Sequence, residues 1–265
     1  MTSLAAWSGV DSRGQASMYF ASDSRITWKS SGGLWDFGRK LFASEMTADI
    51  FGYCGDVLFP SLVLGQVQGL LGGALFTRDE GAPGRHKAVS DLIKRSFSSF
   101  PLESRQEFTI LHGARDGSRM KSEFHLWRLD WSAKTDWQEQ EVTLPAESAL
   151  ALAVGSGAKV TTEWNDEWCR RLGRTSRSVF GSFCDALQSG SDAKTGGAPQ
   201  LVGLYRVGQG RSFGILYEGT RFIHGLRLEK CPDVTSVEWR NTLFERCDCQ
   251  SMERSPDAQR QPYPQ

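Results

Sequence analysis

What most constrains this chain is that its hydrophobic periodicity changes in blocks. Short apolar runs open the sequence at residues 4–10 and 17–21, separated by Asp11-Ser12-Arg13-Gly14, which carries the glycine of a hairpin turn. A second strand pair is expected at 40–43 and 48–54, after a Ser/Gly stretch at 30–33. The period then lengthens. Leu58, Leu62, Val63, Val67, Leu70, Leu71 and Ala74 recur at three- and four-residue steps and predict a helix over 58–75. A second helix is expected over 86–100, with Val89, Leu92, Ile93 and Phe97 on one face and Pro101 as its stop; the polar segment 77–85 reads as the loop between them. Strands return at 107–114, 121–131, 138–144 and 150–154. Helices follow at 158–172 and 175–188, and strands close the pattern at 201–207, 212–217 and 220–228. Elements that arrive in blocks disfavour βαβ units and a parallel sheet. The expected class is α+β: two antiparallel sheets stacked face to face, helix pairs outside, one domain over residues 1–249. Residues 250–265, rich in Ser, Pro, Arg and Gln, predict a disordered tail.

Charge and composition narrow the function classes. The 31 basic residues balance 31 acidic ones, and no long run of one sign occurs, which disfavours a nucleic-acid or acidic-membrane surface. No stretch approaches the roughly 20 apolar residues of a membrane helix, and the N-terminus lacks the basic and apolar regions of a secretory signal. A cytoplasmic location is expected. The six cysteines are scattered, and Cys247-Asp248-Cys249 lacks the spacing of a zinc site. His112 and His125 sit in strand-like runs and read as ordinary sheet residues, so neither a metal nor a cofactor is expected. The nine tryptophans read mainly as core, with a partner subunit as the alternative contact for some.

Several short segments are more distinctive than a fold requires. Thr2 is small enough for a methionine aminopeptidase to remove Met1 ahead of it. It would then carry a hydroxyl and a free α-amine on one residue, and the unperturbed amine pKa of about 7.7–8 suits general-base work on its own hydroxyl. Ala21-Ser22-Asp23-Ser24-Arg25 ends the first hairpin; Phe37-Gly38-Arg39-Lys40-Leu41-Phe42 and Ile50-Phe51-Gly52-Tyr53-Cys54-Gly55-Asp56 follow. Far downstream stand Gly155-Ser156-Gly157 before the third helix and Asp192-Ala193-Lys194-Thr195-Gly196-Gly197 after the fourth. Each segment alone reads equally well as a turn with solvated charges.

In this combination and order the segments resemble the proteasome β-subunit family, including HslV-type peptidases, over Thr2 to Leu228. The first hairpin is longer than the family's, and Arg39 stands where a second Lys is common. The resemblance implies a four-layer αββα N-terminal-nucleophile hydrolase sandwich. It implies Thr2 as nucleophile, Lys40 as the positive charge that eases its deprotonation, and Asp23 as the partner of Lys40. It further implies the Gly52 N–H as oxyanion donor, with Ser156, Asp192 and Thr195 around the α-amine; Arg25 is expected to brace this shell. The function so implied is a threonine protease acting on peptides or unfolded proteins in a homo-oligomeric ring, served by an AAA+ ATPase. Two alternatives stay open: an amidohydrolase of small amides, and a non-catalytic ring subunit.

Overall fold

The computed structural model describes residues 2–28, 32–71, 81–232 and 237–260. In the first half, β1 (Leu4–Asp11) and β2 (Gly14–Ser22) form the expected hairpin, and β3 (Ile26–Thr27) pairs with β4 (Leu34–Trp35) in a small hairpin of its own. β5 (Leu41–Ala43) and β6 (Asp49–Gly55) lead into helices α1 (Leu58–Leu70) and α2 (Gly81–Ser98). Next come β7 (Phe108–Asp116), β8 (Glu123–Ser132), β9 (Asp136–Glu141) and β10 (Ala149–Val154), then α3 (Ala158–Leu172) and α4 (Ser176–Gln188). The chain closes with β11 (Gln200–Tyr205), β12 (Arg211–Tyr217), β13 (Thr220–Ile223), β14 (Leu226–Leu228), β15 (Glu238–Asn241) and β16 (Arg246–Cys247).

Two main sheets result. One runs β10-β1-β2-β11-β12-β13-β14, with β15 and β16 joined at β12; the other runs β5-β6-β7-β8-β9. Strict alternation sorts the side chains of each strand between two cores. From β1, Leu4 and Ala6 enter a core shared with Leu41, Ile50 and Leu111 of the smaller sheet, while Ala5 and Trp7 enter a core with Phe180 and Phe183 of α4. β2 divides likewise: Met18 and Phe20 face the smaller sheet, Tyr19 and Ala21 face α4. From β6, Phe51 and Tyr53 pack on Phe59 and Val63 of α1 and on Ile93 and Phe97 of α2. The class is mixed α+β, with mainly antiparallel sheets and four α-helices among the described residues.

Three features depart from the sequence reading. β15 runs parallel to β12, so the larger sheet is not wholly antiparallel. Helix α2 begins at Gly81, inside the segment read as loop: Pro83 is tolerated in a first turn, and the Ala82 N–H is satisfied by the Asp116 carboxylate at 2.5 Å. The first helix is described only to Leu71, so its expected extension to residue 75 lies outside the described residues. Residues 250–260, expected to be disordered, are held by backbone bonds such as Asp248 N–H to Glu253 O and Ser255 N–H to Arg246 O. A Cys231–Cys249 disulfide fastens the start of this segment, with the Cα atoms 5.7 Å apart. Five of the nine tryptophans (Trp7, Trp127, Trp131, Trp168, Trp239) are buried, whereas Trp28 and Trp35 are among the exposed hydrophobic residues. Among the described residues no helix is long and apolar enough to cross a membrane.

Candidate active site

The start of β1, the end of β2 and the start of β5 meet at one buried carboxylate. Asp23 directly follows β2, and Lys40 directly precedes β5, so side chains on the two sheets converge where the strands stop. Lys40 Nζ lies 2.8 Å from Asp23 Oδ1, and both side chains are fully buried. The same Oδ1 accepts the Ser3 N–H at 3.1 Å, while Oδ2 accepts the N–H groups of Arg25 and Gly196, each at 3.1 Å. Four donors thus saturate the carboxylate, which is what a dehydrated anion needs. Burial is the largest influence on both partners. It pushes the Asp23 carboxyl up, against the Lys40 charge and the two backbone donors that pull it down, and it pushes the Lys40 ammonium below the ordinary lysine range.

Thr2 is the residue before Ser3 and is 1% exposed in the full chain. Its carbonyl accepts the Gly157 N–H at 3.4 Å. The chain approaches so closely here that a Cβ on Gly155, which has φ +92°, would sit 1.9 Å from Thr2 O. A Cβ on Gly157 would meet Ser3 Oγ at 1.8 Å and Thr195 Cγ2 at 3.0 Å. Both glycines are therefore required by close approach. The Gly-Ser-Gly turn, the residues ahead of β1 and the 192–197 loop approach one another closely here.

The remaining residues fall unevenly. Ser156 lies in the same turn but is exposed. Thr195 is buried and donates its hydroxyl to Asp192 O at 3.1 Å. Asp192 Oδ1 accepts the Lys194 N–H at 3.0 Å, whereas its Oδ2 is buried without a hydrogen-bond partner. Arg25 braces the loop: its guanidinium grips Asp36 at 2.8 and 2.9 Å and donates to the carbonyls of Ala193 and Thr195, both at 3.2 Å.

Gly52 requires a correction. It lies inside β6, opposite Leu41 on one side and Leu111 on the other. The next residue, Tyr53, points its N–H toward β5 and donates to Lys40 O at 3.2 Å. Alternation along the strand turns the Gly52 N–H the other way, toward β7. That amide is part of the ladder and is not aimed at the Lys40 side, so the expected oxyanion role does not fit. The glycine has another reason to be there: a Cβ would come within 2.8 Å of both Leu4 Cδ1 and Leu41 Cδ2.

Sequence reasoning also missed Gln200, the first residue of β11 and only 3% exposed. Its Oε1 accepts the Lys40 N–H at 3.1 Å, and its Nε2 lies 3.1 Å from Asp23 O, 3.0 Å from Ser24 Oγ and 2.8 Å from Gly38 O. A lone polar residue at the head of the apolar run Leu-Val-Gly-Leu-Tyr was the available signal.

Comparison with solved structures shows which fold this is. An Anbu (Gly-1) mutant from Hyphomicrobium sp. strain MC1 matches with a TM-score of 0.50 and 14% identity, over 78% of this chain and 82% of that one. Anbu, the ancestral beta-subunit, from Yersinia bercovieri matches with a TM-score of 0.51 and 14% identity, over 80% and 86%. The fold is that of these β-subunits; at this identity the likeness speaks for the fold alone. No family model and no curated protein matches the sequence.

Proposed function

We propose that the chain is a threonine-type peptidase, built as a four-layer αββα sandwich, in which Thr2 becomes the nucleophile once Met1 is removed. Met1 lies outside the described residues, and its removal is part of the proposal. The observation that carries the reading is Asp23 Oδ1. One carboxylate oxygen holds the Lys40 ammonium at 2.8 Å and the Ser3 N–H at 3.1 Å, so a buried positive charge is fixed beside the backbone that immediately follows Thr2. A structural subunit has no need of such a dehydrated pair at its N-terminus, since a buried ion pair rarely adds net stability.

The chemistry then runs as follows. Thr2 Oγ attacks the peptide carbonyl while its proton passes to the α-amine, and Lys40 lowers the energy of the developing alkoxide. As the C–N bond breaks, the α-ammonium returns that proton to the leaving amine, giving an ester on Thr2. Water, deprotonated by the same amine, hydrolyses the ester. The unpartnered Asp192 Oδ2 is the acceptor this reading assigns to the α-ammonium, with Ser156 and Thr195 beside it. The proposed setting is the cytoplasm, in a homo-oligomeric ring fed by an AAA+ unfoldase with unfolded protein as substrate.

Fluorogenic peptides test the activity. Turnover by the wild-type protein that disappears in Thr2→Ala supports the reading; equal turnover in Thr2→Ala removes Thr2 as nucleophile. Cleavage of small amides but not peptides would favour the amidohydrolase alternative. Light scattering tests the assembly: a sharp species at the chain mass of 29.4 kDa across micromolar concentrations would rule out the ring.

A further inference from the structure

Asp23 and Lys40 adjoin strands of different sheets, and no ladder pairs β2 with β5. Something other than sheet register must therefore set the separation of their backbones. One backbone bond contributes, from Gly38 N–H to Ser24 O at 2.9 Å. The Arg25–Asp36 ion pair ties the same two segments further out, and the bonds nearest to Asp23 and Lys40 themselves pass through the Gln200 side chain. That amide offers one acceptor oxygen and two N–H hydrogens. The oxygen takes the Lys40 N–H, and the two hydrogens serve Gly38 O, Ser24 Oγ and Asp23 O, one hydrogen being shared. Ser24 can accept here because its own hydroxyl hydrogen goes to Ala198 O at 2.6 Å. Gln200 thus holds the main chain at Asp23 and on both sides of Arg39, while its own strand is anchored by the Gln200–Ser22 register in the larger sheet.

We propose that Gln200 is a positioning residue for the Asp23–Lys40 pair, fixing where the Lys40 ammonium stands relative to the N-terminal strand. The inference rests on the Thr2 reading for its consequence, activation of the hydroxyl, but its geometric claim concerns Lys40 alone. The amide touches backbone and not the ionised atoms. Its loss should therefore act on the chemical step and on the proton equilibrium of Lys40, while peptide binding stays as it is. A displacement of about 1 Å at a reacting group can cost about a hundredfold in rate.

Two variants and two readouts test this. Gln200→Met keeps the volume and loses every hydrogen bond; Gln200→Glu keeps the shape and the acceptor for the Lys40 N–H but loses the donors. Either is used if it unfolds cooperatively. The first readout is the NMR titration of the lysine side-chain carbons, which follows Lys40 without any substrate. The second is the rate of covalent labelling by a peptide vinyl sulfone, whose alkene adds a threonine hydroxyl, read by intact mass and resolved into maximal rate and half-saturating concentration. The expected result is a displaced Lys40 titration midpoint together with a maximal labelling rate at least about tenfold lower. Half-saturation should stay within about twofold, and labelling should still go to completion. A merely structural role would lower the labelled fraction and leave midpoint and rate unchanged, and that result overturns the proposal. If the wild-type protein does not label at all, the Thr2 reading fails, and the Lys40 titration still decides the role of Gln200.

Discussion

Two charge clusters in this molecule are built on opposite plans. Around Asp23, three of the four donors are backbone N–H groups and the fourth is Lys40, so each contact has its own fixed hydrogen. Beneath α2, the carboxylates and imidazoles are joined through side chains. Glu139 bonds His86 Nε2 at 2.9 Å, His86 Nδ1 meets His112 Nδ1 at 3.0 Å, and His112 Nε2 meets Asp49 at 3.0 Å. Arg85 flanks Asp49, Lys94 and Ser90 flank Glu139, and the rings of His86 and His112 stack on Trp127 and Phe51 respectively. Three contacts between ionised carboxylates and two imidazoles need three ring hydrogens, one more than two neutral rings carry. His86 Nδ1 is the natural acceptor in the middle, and burial, with the neighbouring His112, pushes the His86 pKa down to about 4. The Asp23 cluster is thus fixed by the chain path, whereas the His86 cluster is fixed by a proton count and will come apart when that count changes.

The largest effect should follow from breaking the first cluster. Lys40→Met leaves a carboxylate with no exposure and no counter-charge, and should cost about 3–5 kcal/mol in urea unfolding at neutral pH. Adding Asp23→Asn should restore part of that stability without restoring any peptidase activity. Full activity in Lys40→Met would reduce the pair to a structural contact.

The second cluster should answer to pH instead. The folded pKa of His86 lies below the ordinary value of 6.5, so its contribution is complete above that value and is lost as pH falls toward about 4. The whole shift corresponds to at most about 3 kcal/mol. Between pH 7 and 5 the unfolded carboxylates do not yet titrate, so unfolding free energies measured there should fall in the wild type. The slope should flatten by close to one proton in His86→Gln. An unchanged slope in that variant would remove the distinction between the clusters.

Gly52→Ala should cost about 1–3 kcal/mol, because its Cβ would press on Leu4 and Leu41. If Gly52 acts only by packing, peptidase activity per folded molecule should survive. A loss of turnover with unchanged stability would return Gly52 to the oxyanion site.

The comparison also explains what was legible in the sequence. α3 begins and ends where its periodicity does, at Ala158 and Leu172, and the Thr175 side chain caps α4 by accepting the Ser178 N–H. The Asp23, Lys40 and 155–157 segments could be read because each is a short string with its own spacing. Gln200 shows in the sequence only as a lone polar residue ahead of an apolar run, since its partners lie 160 to 177 residues away. His112 reads as an ordinary sheet residue because its pairing with His86 is across elements. β15 was invisible for another reason: its four residues Glu-Trp-Arg-Asn show no apolar alternation and gain strand geometry only by pairing with β12.

The proposed peptidase chemistry requires Thr2 to be a free, activated N-terminal residue. The direct measurement is intact-mass and peptide mapping of the purified protein before and after exposure to a peptide vinyl sulfone. The predicted result is loss of Met1 and a single adduct on Thr2, absent from Thr2→Ala and Lys40→Met. Retention of Met1, or an adduct formed equally well in Thr2→Ala, would contradict it.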